Sequence, residues 1–172
     1  MVNKINRFER KWIYRSNNHL IIINSLIRSS FFFNKQYPDR RVNSIYFDDD
    51  NYSSIKQNLD GVSEKKKIRV RWYGMQSKLV KPVLEIKSKR GLETKKEVFN
   101  ISELNDLEHV DFKNLKLIKD FFNSKNKTKN IISPILTTNY DRQYFISNNG
   151  SIRATVDYNL KSIYLTNFSQ LS

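Results

Sequence analysis

The chain has 172 residues, 38% of them hydrophobic, with 31 Lys and Arg against 17 Asp and Glu and a formal charge of +14. Length and apolar content suit one domain, residues 1–172, burying about two thirds of its unfolded surface, and the charge points to polyanions: nucleic acid, anionic membrane, nucleoside triphosphate or phosphate chains. With no cysteine, disulfides and thiolate metal sites are excluded. Residues 1–11 lack the apolar core of a signal peptide. The most apolar stretch, residues 20–33, is interrupted by Asn24, Ser25, Arg28, Ser29 and Ser30, short of the roughly 20 apolar residues that span a bilayer. A cytoplasmic location is expected, with membrane association only through a partner protein.

Residues 5–14 predict a strand, with Phe8, Arg10, Trp12 and Tyr14 on one face and Arg7, Glu9, Lys11 and Ile13 on the other. Asn17 or Asn18 caps a helix whose Leu20, Ile23, Leu26 and Ile27 form an apolar stripe for packing on a sheet. A strand over 43–47 follows, then a short helix over 48–59 with Tyr52, Ile55 and Leu59 inward, closed by Gly61. Asp48, Asp49 and Asp50 lack the glycine and distal glutamate of a calcium loop, which makes them helix caps. Lys65, Lys66 and Lys67 read as a solvated charge run in a turn, Lys67 alone being placed to guide a substrate.

Three strands in a meander come next, over 67–73, 80–89 and 93–101, with Gly74 and Gly91 at the turns. Helix 111–123 aligns Leu115, Ile118, Phe121 and Phe122, and 123–130 is a lysine-rich connector. A strand over 135–146, a turn at Asn148, Asn149 and Gly150, and a strand over 152–159 complete the pattern.

The strands over 67–96 carry the most information. Arg69 and Arg71 alternate with Ile68, Val70 and Trp72, and Glu85 and Lys87 alternate with Leu84 and Ile86, so each strand has one apolar and one charged face. Trp12 and Trp72 fall on the faces away from Lys11 and Arg71 and belong to the core. Cations on adjacent strands then share a surface, which folding does not require, because like charges placed opposite one another destabilise a sheet. A solvated face is the plain alternative, with exposed ion pairs worth about 0–1 kcal/mol; an anion on that surface is the other. His19 and His109 are isolated and no Ser/His/Asp pattern is recognisable. The four glycines are too scattered for a phosphate-cradling loop, so side chains must do that work.

Six segments in order, Glu9–Tyr14, Ser44–Asp48, Lys67–Gly74, Leu84–Lys87, Tyr140–Arg142 and Arg153–Asp157, resemble the polyphosphate-polymerase domain of the vacuolar transporter chaperone (VTC) family. That family is part of the CYTH-like triphosphate tunnel metalloenzymes. The strongest single match is Ile68-Arg-Val-Arg-Trp-Tyr-Gly74.

The resemblance implies an α+β fold: an antiparallel β-barrel or tunnel with a charged interior and helices packed outside, lacking its C-terminal strands in this chain. It implies transfer of the ATP terminal phosphoryl group to a growing polyphosphate chain, with divalent manganese or magnesium as cofactor and ATP and inorganic polyphosphate as partners. Arg69, Arg71, Lys87 and Arg142 take the catalytic positions, and Lys11, Lys96, Tyr140 and Arg153 the substrate-binding ones. The family's metal-binding glutamate lies on a strand after the one matching 152–159, and residues 161–172 contain no Asp or Glu. Glu9, Glu85 and Asp157 are the carboxylates on charged faces and hence the candidate metal ligands. A triphosphatase of the same fold and a non-catalytic polyphosphate- or RNA-binding module are the alternatives. Tyr73 shares the face of Arg69 and Arg71 while Trp72 does not, which favours phosphate over base recognition.

Overall fold

A computed structural model describes residues 8–16, 18–91, 93–104, 112–125 and 132–165. Six strands form one sheet: β1 Asn34–Asp48, β2 Glu64–Tyr73, β3 Val83–Arg90, β4 Glu93–Asn100, β5 Ser133–Ile146 and β6 Arg153–Tyr164. The order is β4-β3-β2-β1-β5-β6 and every neighbouring pair is antiparallel. Three helices accompany it: α1 Leu20–Ile27, α2 Ser53–Leu59 and α3 Phe112–Lys125. The expected α+β architecture with an antiparallel sheet is present. Among the described residues no ladder joins β4 to β6, so the sheet is an open strip and not a closed barrel.

One face of the strip is apolar because alternate residues of each strand are. Ile45, Val70 and Leu84 lie side by side across β1, β2 and β3, and all three are fully buried. α3 covers them with the stripe expected of it: Leu115, Ile118 and Phe122 join Phe47, Ile68, Trp72 and Leu104 in one cluster, with Phe121 at its margin. Phe47 stacks on Phe122 at 6.2 Å. A smaller cluster forms where α1 meets β5 and β6, from Ile23, Phe33, Phe145 and Val156. The His19 ring stacks on Tyr158 at 3.8 Å, a packing role for that histidine. Of the expected caps, Asn18 lies one residue before the N-cap position of α1, which His19 occupies, and its Oδ1 accepts the Leu20 amide at 3.0 Å.

Three local expectations are corrected. β1 begins nine residues before the expected Asn43, passing through Pro38. Residues 34–41 pair with β5 and not with β2, and register shifts flank Tyr37, so a proline without an amide donor fits there. Lys65, Lys66 and Lys67 belong to β2 and not to a turn, since Glu64–Arg71 pairs continuously with β3. α2 starts only at Ser53, and Tyr52 and Leu59 are exposed, because so short a helix has little face to bury. Asp48 accepts the Ser54 and Ile55 amides and Asp49 those of Asn51 and Ser53, the capping role expected of them. Burial alone would raise the Asp49 carboxyl; hydrogen bonds from Ser53 and Asn51 bring it below its ordinary value.

The N-terminal expectation differs most. Residues 8–16 form no strand, and Trp12, expected in the core, is 80% exposed. Alternation makes a strand only where a neighbouring ladder takes up its amides and carbonyls, and this segment has none among the described residues. Residues 5–7, Asn17, His109, Asp111 and residues 126–130 of the expected connector lie outside the described residues, while its first residues, 123–125, belong to α3. No helix among the described residues is long and apolar enough to cross a membrane. At the turns, Gly91 (φ +60°) and Gly150 (φ +72°) hold the left-handed conformation their hairpins require.

Candidate functional site

Opposite the helices, the register stacks the remaining side chains in rows across the sheet, because cross-strand partners share a face. Arg40, Arg142 and Asp157 occupy one row, followed by Val42 with Tyr73 and Tyr140. Next come Ser44 with Arg71, then Tyr46 with Arg69 and Glu85, then Lys67, Lys87 and Lys96. Arg40 stands directly opposite Arg142, and Lys87 has a lysine on either side. Such like-charge pairs weaken a bare sheet and are relieved by an anion.

Glu85 is the hub. It is 7% exposed and its Oε2 accepts from Arg69 Nε at 2.7 Å and Nη2 at 2.6 Å, while Oε1 accepts from Lys96 Nζ at 2.7 Å. Arg71 Nη1 lies 3.9 Å from the same Oε2. Burial alone would push the carboxyl up, but donation by Lys96 and the charges of Arg69 and Arg71 hold it below the ordinary glutamate value. Glu85 therefore stays anionic and keeps three cations gathered.

Arg71 is itself buried, at 9% exposure; it donates from Nε to Ser44 Oγ at 3.3 Å and from Nη2 to Tyr140 Oη at 3.5 Å. Arg69 donates from Nη1 to Tyr46 Oη at 3.1 Å. Burial works against its charge, and Tyr46 and Glu85 more than offset this, so the guanidinium is held more firmly protonated than usual. Burial also raises the Tyr140 phenol, against the opposing pull of Arg71 and Arg142, which keeps it a neutral donor.

Arg142 forms a two-point ion pair with Asp157, Nε to Oδ1 at 2.6 Å and Nη2 to Oδ2 at 2.7 Å, which drives its pKa upward. Its guanidinium lies 5.2 Å from the Tyr140 ring centre, linking this pair to Arg71. In the lysine row Lys96 is taken by Glu85, while Lys67 and Lys87 have no carboxylate partner among the described residues. Partial desolvation, and then the charges of Lys11, Lys65 and Lys87, lower the Lys67 pKa despite the opposing effect of Tyr46.

Of the sequence-predicted residues, the fold thus brings Arg69, Arg71, Glu85, Lys96 and Tyr140 into one network, with Arg142 and Asp157 beside it and Lys87 in the next row. Arg153 opens β6 on the same face, four residues from Asp157, and is exposed. Lys11 and Glu9 are not brought into the network; they pair with each other at 3.5 Å on the exposed segment, although the Lys11 charge reaches Lys67. Ser44 and Tyr46 were not singled out from sequence. Their alternation with the buried Ile45 and Phe47 is the signal that places them on the charged face.

A model of the VTC domain matches residues 6–169. The chain belongs to the VTC domain family. No curated protein matches it. Membership in the VTC family ties the chain to polyphosphate-related function, and the cationic face is the feature of the fold suited to such a ligand.

No cluster of three or more His, Cys, Asp or Glu gathers among the described residues. Both oxygens of Glu85 and both of Asp157 accept from cations. The candidate metal ligands Glu9, Glu85 and Asp157 are each engaged by a cationic side chain, and among the described residues they do not build a metal centre by themselves.

Proposed function

We propose that the cationic face binds a nucleoside triphosphate and a polyphosphate end together and transfers the terminal phosphoryl group of ATP to the growing chain. The observation that supports this most directly is the Arg69–Glu85–Arg71–Lys96 network, flanked by Arg142 and by Lys67 and Lys87, which have no carboxylate partner among the described residues. Phosphoryl transfer asks for positioning and charge neutralisation around an in-line displacement, not for a covalent group on the protein. Arg69 and Arg71 present planar forks for two oxygens each, held in place by Tyr46, Ser44 and Glu85. Lys87, Lys96 and Lys67 supply compact charges that follow a chain of phosphates.

In this reading a terminal phosphate oxygen of the polyphosphate attacks the γ-phosphorus of ATP, and the bond to the bridging oxygen of the departing ADP breaks. Arg69, Arg71 and Arg142 hold the reacting groups, and Tyr140 donates a hydrogen bond from a phenol kept neutral. A phosphate arriving at Arg69 and Lys96 replaces Glu85 as their acceptor. A divalent cation, manganese or magnesium, belongs to this reading and neutralises phosphate charge when bound; a single carboxylate, Glu85 or Asp157, is the most the described face offers it.

The test is product analysis. The purified chain is incubated with ATP and manganese or magnesium, and phosphate chains are separated by length. Long chains with release of ADP are expected, and a chelator should abolish them. Release of single phosphates alone would assign the same face to a triphosphatase, and triphosphate binding without turnover would make it a binding module.

A further inference from the structure

The end of the cationic face where β1, β2 and β5 meet is built differently from the rest. The Arg40 guanidinium carbon lies 5.8 Å, 5.6 Å and 5.6 Å from the ring centres of Tyr37, Tyr73 and Tyr144. Tyr37 and Tyr144 are cross-strand partners whose rings meet edge to face at 5.7 Å and 84°. Tyr73, at the end of β2, flanks the guanidinium from the next strand. Tyr37 and Tyr73 remain 46% and 41% exposed, and no carboxylate pairs with Arg40 among the described residues. Arg40 is thus an accessible cation set among three aromatic rings, so at this end of the face the expectation of phosphate over base recognition, drawn from Tyr73 and Trp72, does not hold.

The opposite end of the face carries the Lys67–Lys87–Lys96 row, with no ring in it. The two ends select different chemistry. Compact ammonium groups suit phosphate oxygens, whereas a planar guanidinium among π-faces suits a flat, polarisable group such as a base. Spacing agrees with this polarity. Four residues of β1 separate Arg40 from Ser44, the partner of Arg71, which is about 13 Å at roughly 3.3 Å per residue. That span is comparable to an extended nucleoside triphosphate.

We infer that Arg40, Tyr37, Tyr73 and Tyr144 form the nucleobase subsite of this face. A nucleoside triphosphate then lies with its base on the tyrosines, its sugar and first phosphate past Arg142, and its terminal phosphates at Arg71 and Arg69, pointing toward the lysine row. This inference rests on the phosphate-binding reading above and gives it a direction: the chain of phosphates runs from the tyrosine end to the lysine end.

Calorimetric titration with ATP and with inorganic triphosphate, a ligand without a base, tests it. The double variant Tyr37→Ala/Tyr73→Ala should lose about tenfold in ATP affinity and leave inorganic triphosphate unchanged, while Tyr73→Phe keeps ATP affinity. Circular dichroism establishes that each variant is folded. On the unmodified protein, NMR saturation transfer from the protein to the adenine ring protons is expected, which keeps the test open if the double variant does not fold. Equal loss for both ligands, no loss for ATP, or no transfer to adenine would overturn the base subsite alone. An unmodified protein that binds neither ligand would overturn the phosphate reading, and this inference with it.

Discussion

On the helix-covered face of the sheet, Ile45, Val70 and Leu84 sit in one row, all fully buried beneath α3. One residue further along each strand, Tyr46, Arg69 and Glu85 form a row facing the other way, held by hydrogen bonds and ion pairs. The same backbone therefore carries two different kinds of cohesion. The first is apolar area removed from water, at roughly 25 cal/mol per Å². The second leaves repulsion to be relieved, since Arg40 faces Arg142 and Lys87 faces two lysines. Folding alone accounts for the first face, while the like-charge rows of the second are what folding by itself does not require.

The largest effect that would separate the faces lies on the covered side. Leu84→Ala should cost about 2–5 kcal/mol of unfolding free energy, read by denaturant titration, while the folded fraction keeps its triphosphate affinity. A drop in affinity matching the drop in stability would show that the faces are not independent. Arg71→Ala should give the reverse pattern. Charge-assisted hydrogen bonds are worth about 1.5–3 kcal/mol, so inorganic triphosphate should bind about 10–100-fold more weakly, with a smaller change in stability. An unchanged affinity would remove Arg71 from the site.

The smallest effect concerns acid. Glu85 has a folded pKa below its ordinary 4.5, so its ion pairs stabilise the fold fully above that value, and the contribution fades as pH falls through the lower folded value. Glu85→Gln should be less stable than the parent at neutral pH, and the gap in thermal unfolding should narrow below about pH 4.5. A gap that stays constant into acid would mean that the Glu85 charge does not hold the network.

Some of this was legible in the residues themselves. The stripe of Leu115, Ile118 and Phe122, the hairpin at Gly91, and the sharing of one face by Arg69, Arg71 and Lys87 all follow from local periodicity. The long β1 was not legible, because Pro38 reads as a strand breaker unless one knows that only β5 pairs with it there. Nor was the N-terminal segment: Trp12 alternates with charged residues as a strand would, yet it is exposed because no ladder receives its segment among the described residues.

By itself, then, the sequence determined which side chains share a face, for strand parity and helical period are fixed within a few residues by backbone geometry. Only the tertiary structure decided which cations meet. The closing of Glu85 on Arg69, Lys96 and Arg71, and the gathering of Tyr37, Tyr73 and Tyr144 around Arg40, depend on register between strands distant in the chain. Register is settled by burying the apolar face as a whole, and no local pattern carries it.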